Sequence, residues 1–157
     1  MVQETTIDRV VDSFNEDEAA LDQALAALET QQPLLYGYLL ESEEFEAFTD
    51  AEREYLLFLA LVVWRSTEEQ YGKSPEITED QLSAAEEKNW EQLGELSETR
   101  FRERVSMFFT DYQEEDLLAF VEDALLEDDE TPVTKEGREA LFISLKSVID
   151  VLTSNRQ

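Results

Sequence analysis

The side chains of this sequence that could do chemistry are almost all carboxylates. The 157 residues include 39 Asp and Glu against 12 Lys and Arg, which gives a formal net charge of -27 at pH 7. The chain has no His and no Cys, so Ser–His–Asp, Cys–His, His-rich zinc and Glu-x-x-His di-iron sites are excluded. The two roles left to the carboxylates are holding a divalent cation and binding a basic partner.

A carboxylate-only Mg²⁺ site that hydrolyses phosphate esters is the one enzyme class that this composition leaves open. On helices such a site would use acidic pairs at i, i+3, but these pairs are no more frequent here than chance placement gives. The four Gly residues are too far apart for a phosphate-binding loop. The acidic run at 127–130 lacks the alternating pattern of an EF-hand loop. We therefore expect a protein that is not an enzyme and binds no metal or cofactor.

Two acidic segments are candidates for a partner-binding surface. The densest stretch lies between residues 114 and 130, and a shorter ladder at i, i+4 lies near the N-terminus. Carboxylates at this spacing stand about 5–6 Å apart on one helix face. The candidates in the dense stretch are Glu114, Glu115, Asp116, Glu122, Asp123, Glu127, Asp128, Asp129 and Glu130, and those in the ladder are Glu4, Asp8 and Asp12.

The acidity favours a basic protein as the partner and argues against direct binding of nucleic acid or of an anionic membrane. We predict a non-enzymatic interaction domain that docks a basic protein, as an inhibitor, an antitoxin-like protein or a nucleic-acid mimic would. One alternative is a halophile-type helical protein or scaffold whose acidity is environmental, and the Mg²⁺-dependent phosphohydrolase is a second. Docking predicts acids focused on one face, whereas adaptation to salt predicts acids spread evenly.

The spacing of apolar residues indicates that helices position these acids. Ile7, Val10, Val11 and Phe14 follow the i, i+3, i+4, i+7 pattern, similar stripes recur along the chain, and no comparable stretch alternates with period two. We predict one all-α domain over residues 1–157, a helical bundle or irregular helical array of about seven to nine helices. The predicted helices lie at about 4–14, 16–30, 33–40, 43–48, 50–71, 78–95, 98–112, 114–127 and 134–153.

One helix should lie at the centre of this array. Residues 55–64 are apolar on every face, which is typical of a helix enclosed by others. The predicted central helix therefore spans about residues 50–71. This apolar run is too short to cross a bilayer, and the N-terminus lacks the pattern of a secretory signal, so a cytoplasmic location is expected.

The aromatic residues have both a structural and a functional interpretation. Trp64 and Trp90 are expected in the core, because large aromatic side chains dominate core burial. Tyr36 and Tyr38 flank a glycine. If both tyrosines are exposed, they would mark a contact surface, since interfaces are enriched in Tyr.

Overall fold

The computed structural model describes residues 1–42, 46–95, 100–126, 133–134 and 137–154. This part of the chain contains eight α-helices, one 3₁₀ helix and no strand, which confirms the predicted all-α array. The helices are α1 (Glu4–Glu16), α2 (Glu18–Gln31), α3 (Pro33–Glu41), α4 (Asp50–Tyr71), α5 (Glu79–Gly94), α6 (Phe101–Val105), the 3₁₀ helix (Ser106–Phe109), α7 (Glu115–Leu125) and α8 (Arg138–Thr153). None of these helices is both long and apolar enough to span a membrane.

Two helices, α4 and α8, share the centre of the fold. Residues 59–64 of α4 are all buried, and the Trp64 side chain is 0% exposed, as its apolar run predicts. Residues 141–149 of α8 are buried as well, including Lys146 and two serines. α4 packs against α1, α2, α3 and α8, while α8 also packs against α5 and α7. The predicted central helix is therefore one half of a central pair.

Local capping explains where α4 and α5 begin. Thr49 and Thr78 each form a capping box, in which the threonine hydroxyl accepts from the N–H three residues later. The side chains of Glu52 and Gln81 accept in return from the threonine N–H groups at 3.0 and 2.9 Å. α2 begins at Glu18, two residues after the predicted start at 16, because Asp17 accepts from the N–H of Ala19 and caps the helix.

The predicted helix at 98–112 is shorter and tighter in the structure, although residues 98–99 lie outside the described part. α6 passes directly into the 3₁₀ helix, and the rings of Phe101 and Phe108 both pack against Phe142 with centroids 5.8 Å away. The chain leaves helical geometry at Thr110, whose backbone is extended, and Asp111 follows with a left-handed φ of 55°. The packing of these rings on α8 therefore determines the backbone here, and the helical repeat of apolar residues does not predict it.

Two other predicted boundaries also change. Residues 46–48 form a turn instead of the end of a helix at 43–48, whose first three residues lie outside the described part. α8 begins at Arg138 and not at Thr134, because the N–H and the hydroxyl of Thr134 both donate to Glu52 Oε2, at 3.0 and 2.9 Å. These bonds hold Thr134 outside the helix.

Candidate functional site

The first residue of the predicted acidic stretch is structural. The side chain of Glu114 is buried, with Glu114 only 1% exposed, and it accepts hydrogen bonds from the N–H of Val2, at 2.9 Å, and from the hydroxyl of Tyr71. These contacts tie the N-terminal segment and α4 to the start of α7. Glu114 is therefore not part of an exposed surface, which corrects its predicted placement.

The other described acids of this stretch lie on or near the surface of α7. Glu115 and Asp123 are exposed, and Asp116 and Glu122 are partly buried. Arg102 approaches Asp123 at 3.1 Å and Glu122 at 3.8 Å. Burial raises the pKa of Glu122, Asp123 raises it further, and Arg102 opposes both effects. The predicted residues Glu127, Asp128, Asp129 and Glu130 lie outside the described residues.

The acidic ladder of α1 is on the surface, as its spacing predicts. Glu4, Asp8 and Asp12 are all exposed, because the apolar stripe of the same helix, which includes Ile7 and Val10, turns towards the core. The neighbouring Arg9 reaches Glu69 of α4 at 3.2 Å. The ladder thus forms one side of α1.

The two predicted acidic segments meet in a groove between α1 and α7. The N–H of Glu4 donates to Asp116 Oδ2 at 3.0 Å, so the first turns of the two helices are joined. On α7 the lining residues recur at 116, 119, 120 and 123, which is one helix face. This α1–α7 groove of about 230 Å³ is lined by the acids Glu4, Asp8, Asp116 and Asp123 and by the apolar residues Ile7, Ala119 and Phe120.

The lining of the α1–α7 groove suits a cation on an apolar stem. Among the described residues that line it, none is Lys or Arg, although Arg102, from outside the lining, contacts Asp123 at 3.1 Å. Arg and Lys side chains lay their methylene groups on apolar surface and keep the charged end among polar groups. A guanidinium also forms charge-assisted hydrogen bonds with carboxylates. The groove can therefore hold a basic side chain of a partner protein, with the partly exposed Ala119 and Phe120 against its stem.

A second cluster, at the junction of α5 and α8, was not predicted from the sequence. The ammonium of Lys146, whose side chain is 8% exposed, donates to Asn89 Oδ1 and to Asp150 Oδ2, both at 2.9 Å. It lies 5.2 and 4.7 Å from the ring centroids of Phe108 and Tyr112. The only advance signal was the i, i+4 spacing of Lys146 and Asp150. Their partners come from residues 34 to 61 positions away.

The α5–α8 junction borders a pocket with a volume of about 630 Å³. The hydroxyl of Tyr112 donates to Asp150 Oδ1, and burial together with the nearby carboxylate of Asp150 raises the pKa of Tyr112 well above its usual value. The ammonium of Lys146 is already paired inside the fold. This arrangement stabilises the packing of α5 on α8 and gives no sign of a reacting group.

Glu52 is a third carboxylate with a structural role. It is 1% exposed and accepts hydrogen bonds from Thr49 and Thr134. Burial acts to raise the pKa of Glu52, but these hydrogen bonds outweigh burial, so the pKa lies below its usual value. Its carboxylate lies so close to Gly137 that a Cβ at this position would collide with it. Glu52 therefore fixes the segment before α8.

Exposed acids are not confined to the α1–α7 groove. Other exposed carboxylates occur on α2, α4 and α5, for example at Asp22, Glu54 and Glu91. No three acidic side chains converge in the described ranges in a way that could hold a metal ion. The Mg²⁺-dependent alternative therefore has no candidate ligand set in this part of the chain.

Comparisons of the chain with protein-family models, curated proteins and solved structures gave no match. Two features of this chain bear on its function. They are the net charge of -27 and the joining of two acidic segments in one groove.

Proposed function

We propose that this protein is a non-enzymatic interaction domain whose α1–α7 groove docks a basic segment of a partner protein. The observation that carries the proposal is the lining of the groove, where Glu4 and Asp8 of α1 meet Asp116 and Asp123 of α7 around apolar side chains. Such a site favours a basic side chain, whose methylene groups can pack on the apolar lining, over a small inorganic cation. We place the interaction in the cytoplasm, because a chain without Cys fits a reducing compartment.

The net charge supplies the long-range part of this recognition. A protein of charge -27 attracts a basic partner over distances comparable with the Debye length, which raises the association rate and makes it sensitive to salt. The groove then supplies the local part through charge-assisted hydrogen bonds. A partner whose basic surface normally binds phosphates would be blocked by this contact, which is the action of an inhibitor or a nucleic-acid mimic.

The test uses two double variants that remove the same charge from equivalent helix positions. Glu4→Gln with Asp8→Asn alters the first turns of α1 in the groove, and Glu18→Gln with Asp22→Asn alters the first turns of α2, where both residues are exposed. The probe is a fluorescein-labelled peptide of about nine arginines in about 0.15 M salt. We expect the α1 variant to weaken binding about tenfold, since each exposed ion pair contributes up to about 1 kcal/mol.

The α2 variant serves as the control for general charge loss. We expect it to weaken binding less than about twofold, because its carboxylates act on the peptide only through the screened field. Equal losses in the two variants would contradict the proposal, since the peptide would then respond to net charge and not to the groove.

Adaptation to high salt is the second candidate, and the exposed acids on α2, α4 and α5 favour it. In this case the acids have no specific partner, and screening by salt relieves their mutual repulsion. The free energy of unfolding should then rise steeply with KCl up to molar concentrations, and the two double variants should reduce this rise equally. A groove-specific loss of peptide binding would exclude this explanation for the α1–α7 acids.

A further inference from the structure

A second groove, between α3 and α5, has a different character. The α3–α5 groove has a volume of about 420 Å³, and its apolar lining includes Pro33, Leu34 and Leu82. The hydroxyl of Tyr38 on α3 donates to Glu86 Oε1 on α5, so one hydrogen bond spans the groove. The lining of the α3–α5 groove thus combines apolar side chains with the acidic residues around them.

Trp90 extends the lined face of α5 by one turn. Glu79, Ser83 and Glu86 line the groove, and Trp90 follows Glu86 by four residues, which places it on the same helix face. The sequence predicts Trp90 in the core, but this prediction is wrong, since the residue is 42% exposed. An exposed Trp beside an apolar groove is a typical anchor of a protein interface.

The charged groups of this groove are all acidic. Glu41 of α3 and Glu79 and Glu86 of α5 line it, and the described lining contains no Lys or Arg. A second copy of this chain would bring another net charge of -27 to the same place, which like-charge repulsion opposes. The complementary occupant has an apolar face and basic flanks.

We propose that the α3–α5 groove docks a basic amphipathic helix, with its apolar face on Trp90, Leu34 and Pro33 and its Arg or Lys side chains on Glu41, Glu79 and Glu86. Such a helix presents apolar anchors at i, i+3, i+4 and i+7, which is the usual pattern of helix-in-groove recognition. This surface is separate from the α1–α7 groove, so the proposal goes beyond the function proposed above.

Docking of a basic helix should be linked to proton release. Burial raises the pKa of Glu86 to about 7, so near neutral pH this carboxyl is partly protonated. The other titratable groups that line the groove are Tyr38 and Glu41 on α3 and Glu79 on α5. A cation placed beside Glu86 lowers its pKa, and binding therefore strengthens as pH rises through about 7. A displacement of one pKa unit corresponds to about a tenfold change in affinity.

The experiment uses a peptide of about sixteen residues with Leu on one helix face and Arg on the other, acetylated and amidated. Arg keeps its charge throughout the pH range, so the protein supplies any pH dependence. Because Trp64 is buried, a change in tryptophan emission reports Trp90. We expect a blue shift on binding and an affinity about tenfold higher at pH 8 than at pH 6.

Three variants separate this site from general electrostatics. Trp90→Ala should weaken binding of the labelled peptide at least about tenfold, whereas Met107→Ala, at another exposed apolar residue, should change it less than about twofold. Glu86→Gln should bind the peptide at every pH about as weakly as the wild type does at pH 6, because Gln stays neutral like the protonated carboxyl, so the dependence on pH should be lost. The α1 variant Glu4→Gln with Asp8→Asn should leave this peptide's affinity within about twofold.

Several outcomes would overturn the proposal. Equal losses in Trp90→Ala and Met107→Ala would show that the peptide does not use this groove. A pH dependence that persists in Glu86→Gln would assign the linked proton to another group. A loss confined to the α1 variant would place the peptide in the α1–α7 groove and would support only the function proposed for that groove.

Discussion

Carboxylates at the α5–α8 junction and in the α1–α7 groove lie in opposite surroundings. At the junction, Asp150 meets the ammonium of Lys146 at 2.9 Å beneath aromatic rings. In the groove, Asp8 and Asp116 lie beside apolar side chains, and no described lining residue is a cation. The first arrangement is completed by the fold, whereas the second is complementary to a cation from outside.

This difference shows that acid content alone says little about the role of a given acid. Glu52 and Glu114 are both about 1% exposed and accept hydrogen bonds from other segments, so they hold the chain together. Glu4 and Asp8 are exposed on α1 and contribute little to the fold. Burial and the nearest donor decide between the two roles, and variants can measure the difference.

Removing the cation at the junction should have the largest effect. Lys146→Met leaves Asp150 and the Asn89 carbonyl without the ammonium that they contact. Loss of one partner from a fully buried pair costs about 3–5 kcal/mol. The side chain of Asp150 is 26% exposed and still accepts from Tyr112 and Asn89, so we expect a decrease in the free energy of urea unfolding near the lower end of this range. Lys88→Met is the control, because Lys88 lines the same pocket but is exposed. A decrease of similar size in both variants would contradict the structural role of Lys146.

Neutralising the buried carboxylate of α4 should have a smaller effect with a defined pH dependence. Glu52→Gln loses the charge that accepts from Thr49 and Thr134, and we expect a cost of about 1–3 kcal/mol at pH 7. The lowered pKa of Glu52 makes its contribution present above its usual pKa and lost as pH falls through the folded value. The wild type and the variant should therefore converge in acid. Glu54→Gln, at an exposed site, should change little at any pH.

Neutralising Glu86 should change the stability of the fold in the opposite direction. Its pKa, raised to about 7 by burial, means that the folded state binds the proton more tightly than the unfolded chain, so ionisation destabilises the fold as pH rises. We expect Glu86→Gln to raise Tm by about 2–4 °C at pH 8, after allowance for solvent screening. The difference should disappear only below about pH 4, where the carboxyl is protonated in the unfolded chain as well. A variant that is less stable than the wild type at pH 8 would show that the Tyr38–Glu86 contact favours the ionised carboxylate.

The smallest effect on stability is expected in the α1–α7 groove. Asp8→Asn removes one charge from the ladder of like charges on α1, and we expect a gain of a few tenths of a kcal/mol in urea unfolding. A loss above about 1 kcal/mol would show that Asp8 contributes to the fold as Glu52 does. The comparison between the two regions would then fail.

Helical periodicity accounts for most of the fold that could be predicted. The apolar run of α4 and the capping boxes at Thr49 and Thr78 are local features, and local features suffice to place helices. Packing on α8 decides the tight turn of the 3₁₀ helix, and the bonds from Thr134 to Glu52 delay the start of α8. Such contacts join residues far apart in the chain and leave no local pattern.

The candidate site was partly predictable for the same reason. The ladder spacing of Glu4, Asp8 and Asp12 correctly predicts one exposed helix face. The burial of Glu114 and the meeting of Glu4 with Asp116 depend on a contact across 112 residues. The exposure of Trp90 was missed because a Trp at a helical apolar position also fits a core. The sequence therefore predicts which helix faces carry the acids, but not which residues those acids contact in the fold.

The most direct test of the account is to map the bound arginine peptide on the protein by ¹H–¹⁵N chemical-shift perturbation. At about 0.15 M salt, the account predicts that the largest shifts lie in α1 near Asp8 and in α7 between Asp116 and Asp123. The amides of Glu18 and Asp22 on α2 should move little. Shifts of equal size on α1, α2 and α5 would contradict the account and would assign the acids of the α1–α7 groove to general surface charge.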